Sequence, residues 1–116
     1  MIETPAVINE SALDALKSVL GADFPELVRD FRAQSEDSLI KLELAVARDD
    51  RDAIKSQAHI LKGSALSLHA SPLAKRAGEL ESMALSAETL ALDRKVKLLH
   101  QEVKAVWSAL EQWAYH

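Results

Sequence analysis

The stretch Ile54-Lys55-Ser56-Gln57-Ala58-His59-Ile60-Leu61-Lys62-Gly63-Ser64-Ala65-Leu66-Ser67-Leu68 decides how the chain folds. Ile54, Ala58, Leu61, Ala65 and Leu68 follow one another by four, three, four and three residues. That stepping collects them on one face of an α-helix and on no face of a strand. It predicts a helix that begins near Asp50 or Asp52, after a polar turn at 48–52, and ends around His69.

The same pattern extends in both directions. Upstream, Phe24, Leu27, Phe31, Ser38, Leu42 and Val46, with Val28 and Leu39 beside them, form a second stripe. Asp23 reads as its N-cap, with Glu26 three residues on and Pro25 in the first turn. A short first helix is expected between Asn9, an N-cap flanked by the apolar pair Ile8 and Leu13, and a stop at Gly21. Downstream, Ser71 reads as an N-cap with Pro72 at the first helical position, followed by Leu73, Ala77, Leu80 and Ala84. A last long helix after 85–89 carries Leu92, Val96, Leu99, Val103, Val106, Leu110 and Trp113. Trp107 lies beside that stripe; with Trp113 and Tyr115 it would cover a bundle end or make a dimer contact. Four long helices, each with one apolar stripe and short joins, predict an all-α, antiparallel up-down four-helix bundle. The short N-terminal helix would cover one end.

Composition narrows the class. At 116 residues the chain is the length of one domain, 1–116, able to bury a core without staples. It has no cysteine, which excludes disulfides and thiolate chemistry. With 48% hydrophobic residues and a net charge of −4 it is not a disordered chain. No apolar run approaches the roughly 20 residues of a membrane helix, and residues 1–10 carry no secretory h-region. The expectation is a cytoplasmic monomer with no membrane partner.

The charge is unevenly spread. Between Ala53 and Gly78 there is no acid, while Lys55, Lys62, Lys75 and Arg76 give this stretch +4, leaving −8 for the rest. Such a band suggests an acidic partner or a phosphate. It is too weak for a duplex DNA binder, so no nucleic acid is expected.

His59 sits inside that band. With Ala58 and Leu61 inward, it points outward. Lys55 is at i−4, Lys62 at i+3, Gly63 at i+4 and Leu66 at i+7. Glycine in mid-helix costs about 1 kcal/mol relative to alanine. An exposed imidazole that is largely neutral at pH 7 offers a ring nitrogen as nucleophile. Lys62 can neutralise an anion one turn away. Room, a cation and a lone pair suit phosphoryl transfer, whose catalysis is mainly positioning and charge neutralisation. The same residues also read as a surface histidine among solvated lysines, and Gly63 as a close helix–helix contact.

Ala58-His59-Ile60-Leu61-Lys62-Gly63-Ser64-Ala65 resembles the His-x-x-Lys-Gly-Ser/Ala signature of histidine-containing phosphotransfer domains. Asp23-Phe24, Phe31, Asp52, Leu73 and Leu80-Glu81 resemble the family's landmarks, over about Ile8 to Glu81. The resemblance implies that His59 carries a phosphoryl group on the ring nitrogen remote from the backbone. It would take the group from a receiver-domain aspartate, free or in a hybrid sensor kinase, and pass it to another receiver. Lys62 would stabilise the phosphoryl charge, Gly63 would leave space for the receiver's loops, and Ser64 would assist through its hydroxyl. No metal or cofactor is implied in this chain; Mg²⁺ belongs to the receiver. Some members place a glutamine 22 residues after the histidine. Here Glu81 stands there, expected to accept a hydrogen bond from the inner ring nitrogen and leave the outer one nucleophilic. The family's Leu-Gly-Ala appears as Leu68-His69-Ala70. His69, about 80° round the helix from His59, reads as a histidine at the helix C-terminus meeting the dipole, not a second acceptor.

For docking, the turn near Asp50 sets residues around Ser38 and Lys41 opposite His59. Gln34, Ser38, Lys41, Lys55, Ser56, Leu66 and Ser67 are the candidate partner-binding residues. Three other kinds of helical protein place a histidine or a docking face in this way. A di-iron bundle needs Glu-x-x-His, but Ser56, Leu66, Lys97 and Trp113 precede the four histidines by three. A sensor-kinase dimerisation domain does not match Ile60-Leu61-Lys62-Gly63. A non-catalytic helical adaptor would share the bundle and the docking face without the chemistry.

Overall fold

Helix ends leave backbone donors and acceptors unpaired, and this chain satisfies them in two ways. The computed structural model describes residues 7–114, which leaves Tyr115 and the side chain of Trp113 outside it. Helix α1 (Glu10–Leu20) is capped by Asn9, whose Oδ1 accepts from the Ala12 N–H at 3.1 Å. Ile8 and Leu13 are both buried beside it. Gly21 ends α1 at φ 53.

The expected Asp23 cap does not form. A 3-10 turn, Gly21–Asp23, runs directly into α2 (Phe24–Ala47), so Asp23 is already helical at φ −80. A side-chain cap requires an extended residue there. Helix α3 (Arg51–Ser67) does start on a cap, Asp50 Oδ1 accepting from the Ala53 N–H at 3.1 Å.

Helices α2 and α3 end alike. After α3, His69 takes φ 55; its N–H reaches the Leu66 carbonyl at 3.1 Å, and the Ala70 N–H reaches Ala65 at 2.9 Å. After α2, Asp49 takes φ 52, with Asp49 N–H to Val46 at 3.1 Å and Asp50 N–H to Ala45 at 2.8 Å. Both are Schellman ends without the usual glycine. His69 thus lies past the last turn, and its carbonyl accepts from the Asn9 N–H at 3.1 Å, tying α1 down. This end makes Ala70 the cap of α4 (Ser71–Met83), so Ser71 is its first residue rather than its cap. Helix α5 (Thr89–Ala114) completes the chain.

The architecture is all-helical, a four-helix bundle with α1 as an extra short helix. Helix α3 packs between α2 and α4, and α5 closes the ring against the same two. Ile54, Ala58, Leu61, Ala65 and Leu68 are fully buried. Leu27 and Val28 are only half-buried, whereas Ser35 and Ala45, absent from the expected stripe, are core residues. Ser35 is tolerated because its hydroxyl donates to the Phe31 carbonyl at 2.6 Å and accepts from Trp107 Nε1 at 2.9 Å. Arg32 covers the Trp107 ring, 5.1 Å from its centroid. Trp107 therefore joins α5 to α2. At the opposite end, Arg51 donates to the Ala84 and Ala87 carbonyls and Asp49, fastening the α2–α3 turn to the α4–α5 loop. No described helix is long and apolar enough to cross a membrane.

Two consequences for stability follow. A non-glycine residue in the left-handed region is strained, and the His69 side chain there is exposed. His69→Gly is expected to raise the unfolding free energy by about 0.5–1 kcal/mol, after the entropy glycine adds to the unfolded chain; urea denaturation measures it. Glu79 bonds Lys95 at 3.1 Å and faces Arg76 at 3.9 Å. The Lys95 hydrogen bond, aided by the charges of Lys95, Arg76 and Lys75 against partial burial, holds its carboxyl below the ordinary range. A lowered folded-state pKa gives stability that is present above the ordinary glutamate range and lost as pH falls through the folded value. Acid titration of unfolding should therefore be shallower in Glu79→Gln than in the native chain.

Candidate functional site

With Ala58 and Leu61 fully buried, the helical phase leaves the His59 side chain 70% exposed. Helix α4 runs beside it and brings Glu81, whose Oε2 lies 2.9 Å from His59 Nδ1. Facing a carboxylate acceptor, Nδ1 is placed as the donor, and in the tautomer that carries this proton alone the lone pair stands at Nε2. Glu81 is half-buried, which shields this bond more than a surface pair. Its second oxygen, Oε1, lies 3.8 Å from Lys62 Nζ. One carboxylate therefore faces both the imidazole and the ammonium.

Two glycines shape this corner. A Cβ at Gly78 on α4 would sit 3.6 Å from Lys62 Cδ, so the lysine stem lies across the glycine. Around Gly63 nothing lies within 4 Å of where a Cβ would be. The close helix contact considered for Gly63 is thus absent, and the fold itself gives no reason for a glycine there. Gly78 had not been singled out in the sequence; a second glycine inside an apolar helical repeat was the available signal.

Beside His59 an open groove of about 460 Å³ runs between α2 and α3. Leu27, Asp30, Phe31 and Gln34 line it from α2; His59, Ile60, Gly63, Ser64, Ser67 and Leu68 line it from α3. Ser67 also donates to the Gly63 carbonyl at 3.1 Å. Gln34, Ser64 and Ser67 are thus gathered with His59 and Gly63. Ser38 is not available: it is 2% exposed, turned into the core with its neighbours Leu39 and Leu42. Lys41 is exposed but bound to Asp37 at 2.9 Å and outside the groove. Lys55, Ser56 and Leu66 are exposed on α3 without lining it. Leu27, Asp30, Phe31 and Ile60 are groove residues that the sequence had not marked. The acid-free band divides as well. Arg76 turns to α5, where it bonds Glu102 at 3.0 Å, and Lys75 lines a groove between α4 and α5. Only Lys55 and Lys62 of its four cations belong to α3. Among the described residues no three His, Cys, Asp or Glu side chains cluster to hold a metal.

The Hpt domain model matches residues 26–113, and the chain belongs to the Hpt domain family. Its general role is histidine phosphotransfer within a phosphorelay. The crystal structure of histidine-containing phosphotransfer protein B (HptB) from Pseudomonas aeruginosa PAO1 is similar in fold. It matches with a TM-score of 0.89 and 24% identity, over 97% of this chain and 99% of that one. No curated protein sequence matches the chain.

The Glu81 contact predicts a tautomer that is directly observable. Nitrogen-15 spectra of the imidazole should show the proton at Nδ1 in the native chain and a loss of that preference in Glu81→Ala. Identical spectra would show that the bond does not hold the ring.

Proposed function

We propose that His59 is the phospho-acceptor of this Hpt domain and that it exchanges the phosphoryl group with aspartates of receiver domains, including the receiver of a hybrid kinase. The observation that carries this is a histidine whose side chain is 70% exposed while its Nδ1 is held by Glu81 at 2.9 Å. In the forward step the Nε2 lone pair forms the N–P bond as the P–O bond of the receiver's aspartyl phosphate breaks. The electron pair of that bond leaves with the aspartate carboxylate. The Nδ1 proton stays in place, so the ring gains positive charge opposite the Glu81 carboxylate, which stabilises it. Passage to the next receiver reverses these steps. Lys62 adds positive charge beside the phosphoryl oxygens, and Ser64 offers a hydroxyl on the groove side. Gly63 leaves room for the receiver's backbone. Gln34, Lys55, Ser56, Leu66 and Ser67 surround the contact.

The chemistry that needs Mg²⁺ belongs to the receiver; this chain supplies the acceptor, its orientation and local charge. A carrier of this kind works as a phosphoprotein in the cytoplasm. It is monomeric, because one chain already closes its own bundle.

Incubation with a phosphorylated cognate receiver tests the assignment. His59→Gln is expected to abolish phosphoryl uptake while leaving the helical content intact. Uptake that survives this substitution excludes His59, and failure of every cognate receiver to donate favours a docking domain without chemistry. Gly63→Ala separates fold from function: it should stabilise the bundle by about 0.5–1 kcal/mol, since no atom opposes the methyl group. The same substitution should slow transfer at least several-fold.

A further inference from the structure

We propose that Asp30 is a specificity-determining residue, reading a cation on the receiver and so fixing the orientation in which receiver and carrier meet. This rests on the reading of His59 as the acceptor and adds the chemistry of the partner's surface.

Most charges near His59 are already neutralised within the chain. Lys62 faces Glu81, and Lys41 pairs with Asp37. Besides Asp52 at the start of α3, two charges stand apart. Lys55, one turn before His59, and Asp30, across the groove on α2, are both exposed, and neither forms an ion pair among the described residues. They have opposite signs and lie on opposite sides of the histidine. Because α2 and α3 are consecutive and antiparallel, Asp30, early in α2, lies towards the end of α3 near Ser67. Lys55 lies near its start. Ser67 is twelve residues beyond Lys55, a separation of about 18 Å along the axis.

The surroundings of Asp30 make its charge consequential. Leu27, Phe31, Ile60 and Leu68 give the groove an apolar lining, and Asp30 is its one acidic residue. A partner that fills this groove with an apolar side chain removes water from the Asp30 carboxylate. An uncompensated carboxylate in such a place is costly. A receiver presenting Lys or Arg beside that apolar side chain compensates it; one presenting an acid is rejected. The acidic phosphorylation pocket then falls over His59, between Lys55 on one side and Lys62 on the other. Turning the receiver about the His59 contact would move that cation off Asp30 and leave the carboxylate uncompensated. The surface around His59 therefore carries an acidic point beside its lysines rather than being uniformly basic.

Asp30→Asn and Asp30→Lys test this with one cognate phosphorylated receiver as donor. The expected result is a KM raised about threefold and about tenfold respectively, with kcat little changed and the effect shrinking at high salt. Calorimetric affinity for the unphosphorylated receiver should fall in the same order. A receiver whose facing Lys or Arg is replaced by Glu should recover affinity for Asp30→Lys. Unchanged KM and affinity in Asp30→Lys, or a loss confined to kcat, overturns the proposal. Labelling by phosphoramidate, a small donor that does not dock, compares the native chain with His59→Gln. Failure there refutes the acceptor assignment, while the calorimetric comparison still decides the role of Asp30.

Discussion

The rotation of α3 about its own axis is the constraint on which the rest of the structure depends. Five residues, Ile54, Ala58, Leu61, Ala65 and Leu68, are fully buried. Fully burying one aliphatic side chain is worth about 1.5–3 kcal/mol, and a quarter-turn of the helix would expose several at once. No surface interaction available to His59, Lys62 or Gly63 competes with that. The core therefore dictates which way His59 points, although His59 contributes nothing to the core. Because α3 packs against both α2 and α4, the same rotation decides what each neighbour offers. Helix α4 meets the histidine with Glu81 on one side, and α2 forms the groove on the other.

The Glu81 contact depends on that rotation in a second way. A carboxylate 2.9 Å from a surface imidazole would be worth little in free solution, where water competes for both groups. Here Glu81 is half-buried, its stem held by α4, so the bond loses less entropy on forming. The result is orientation rather than strength: Nδ1 is turned to the carboxylate and Nε2 is presented outward. Lys62 shares the carboxylate at 3.8 Å, loosely enough to turn towards a second anion without breaking a buried pair.

Much of this was legible in the sequence, for a physical reason. Helix periodicity records burial directly, so the α3, α4 and α5 stripes and the outward phase of His59 follow from spacing. The Glu81 position followed from the family resemblance, and its chemistry from the carboxylate. Where the sequence misled, the cause was that polarity is a poor guide to exposure for small hydroxyl residues. Ser38 stood both in the expected core stripe and among the docking residues, and only the first holds. Ser35 was missed because a serine can bury itself by bonding a carbonyl one turn back. The caps at Asp23 and Ser71 failed where backbone turns did the work of side chains. Charge counted along the chain also ignored facing, so Lys75 and Arg76 were credited to a surface they do not share. Arg51 joins segments more than thirty residues apart, which no local pattern reports.

Exposure itself is part of the design of this site. An enzyme acting on a small molecule encloses its reacting atoms and excludes water by closing over them. A carrier whose substrate is the phosphorylated side chain of another protein cannot do so. Its acceptor must stand clear of its own surface, and the partner must supply the enclosure. With His59 as the proposed acceptor, its 70% exposure and the empty space around Gly63 answer that requirement. The helix bears the glycine at a cost to its own stability, with nothing inside the molecule to require it. What the chain retains under its own control is the part that docking cannot supply, which is the orientation of the imidazole. It is set by a residue on a different helix, on the side of the histidine away from the groove.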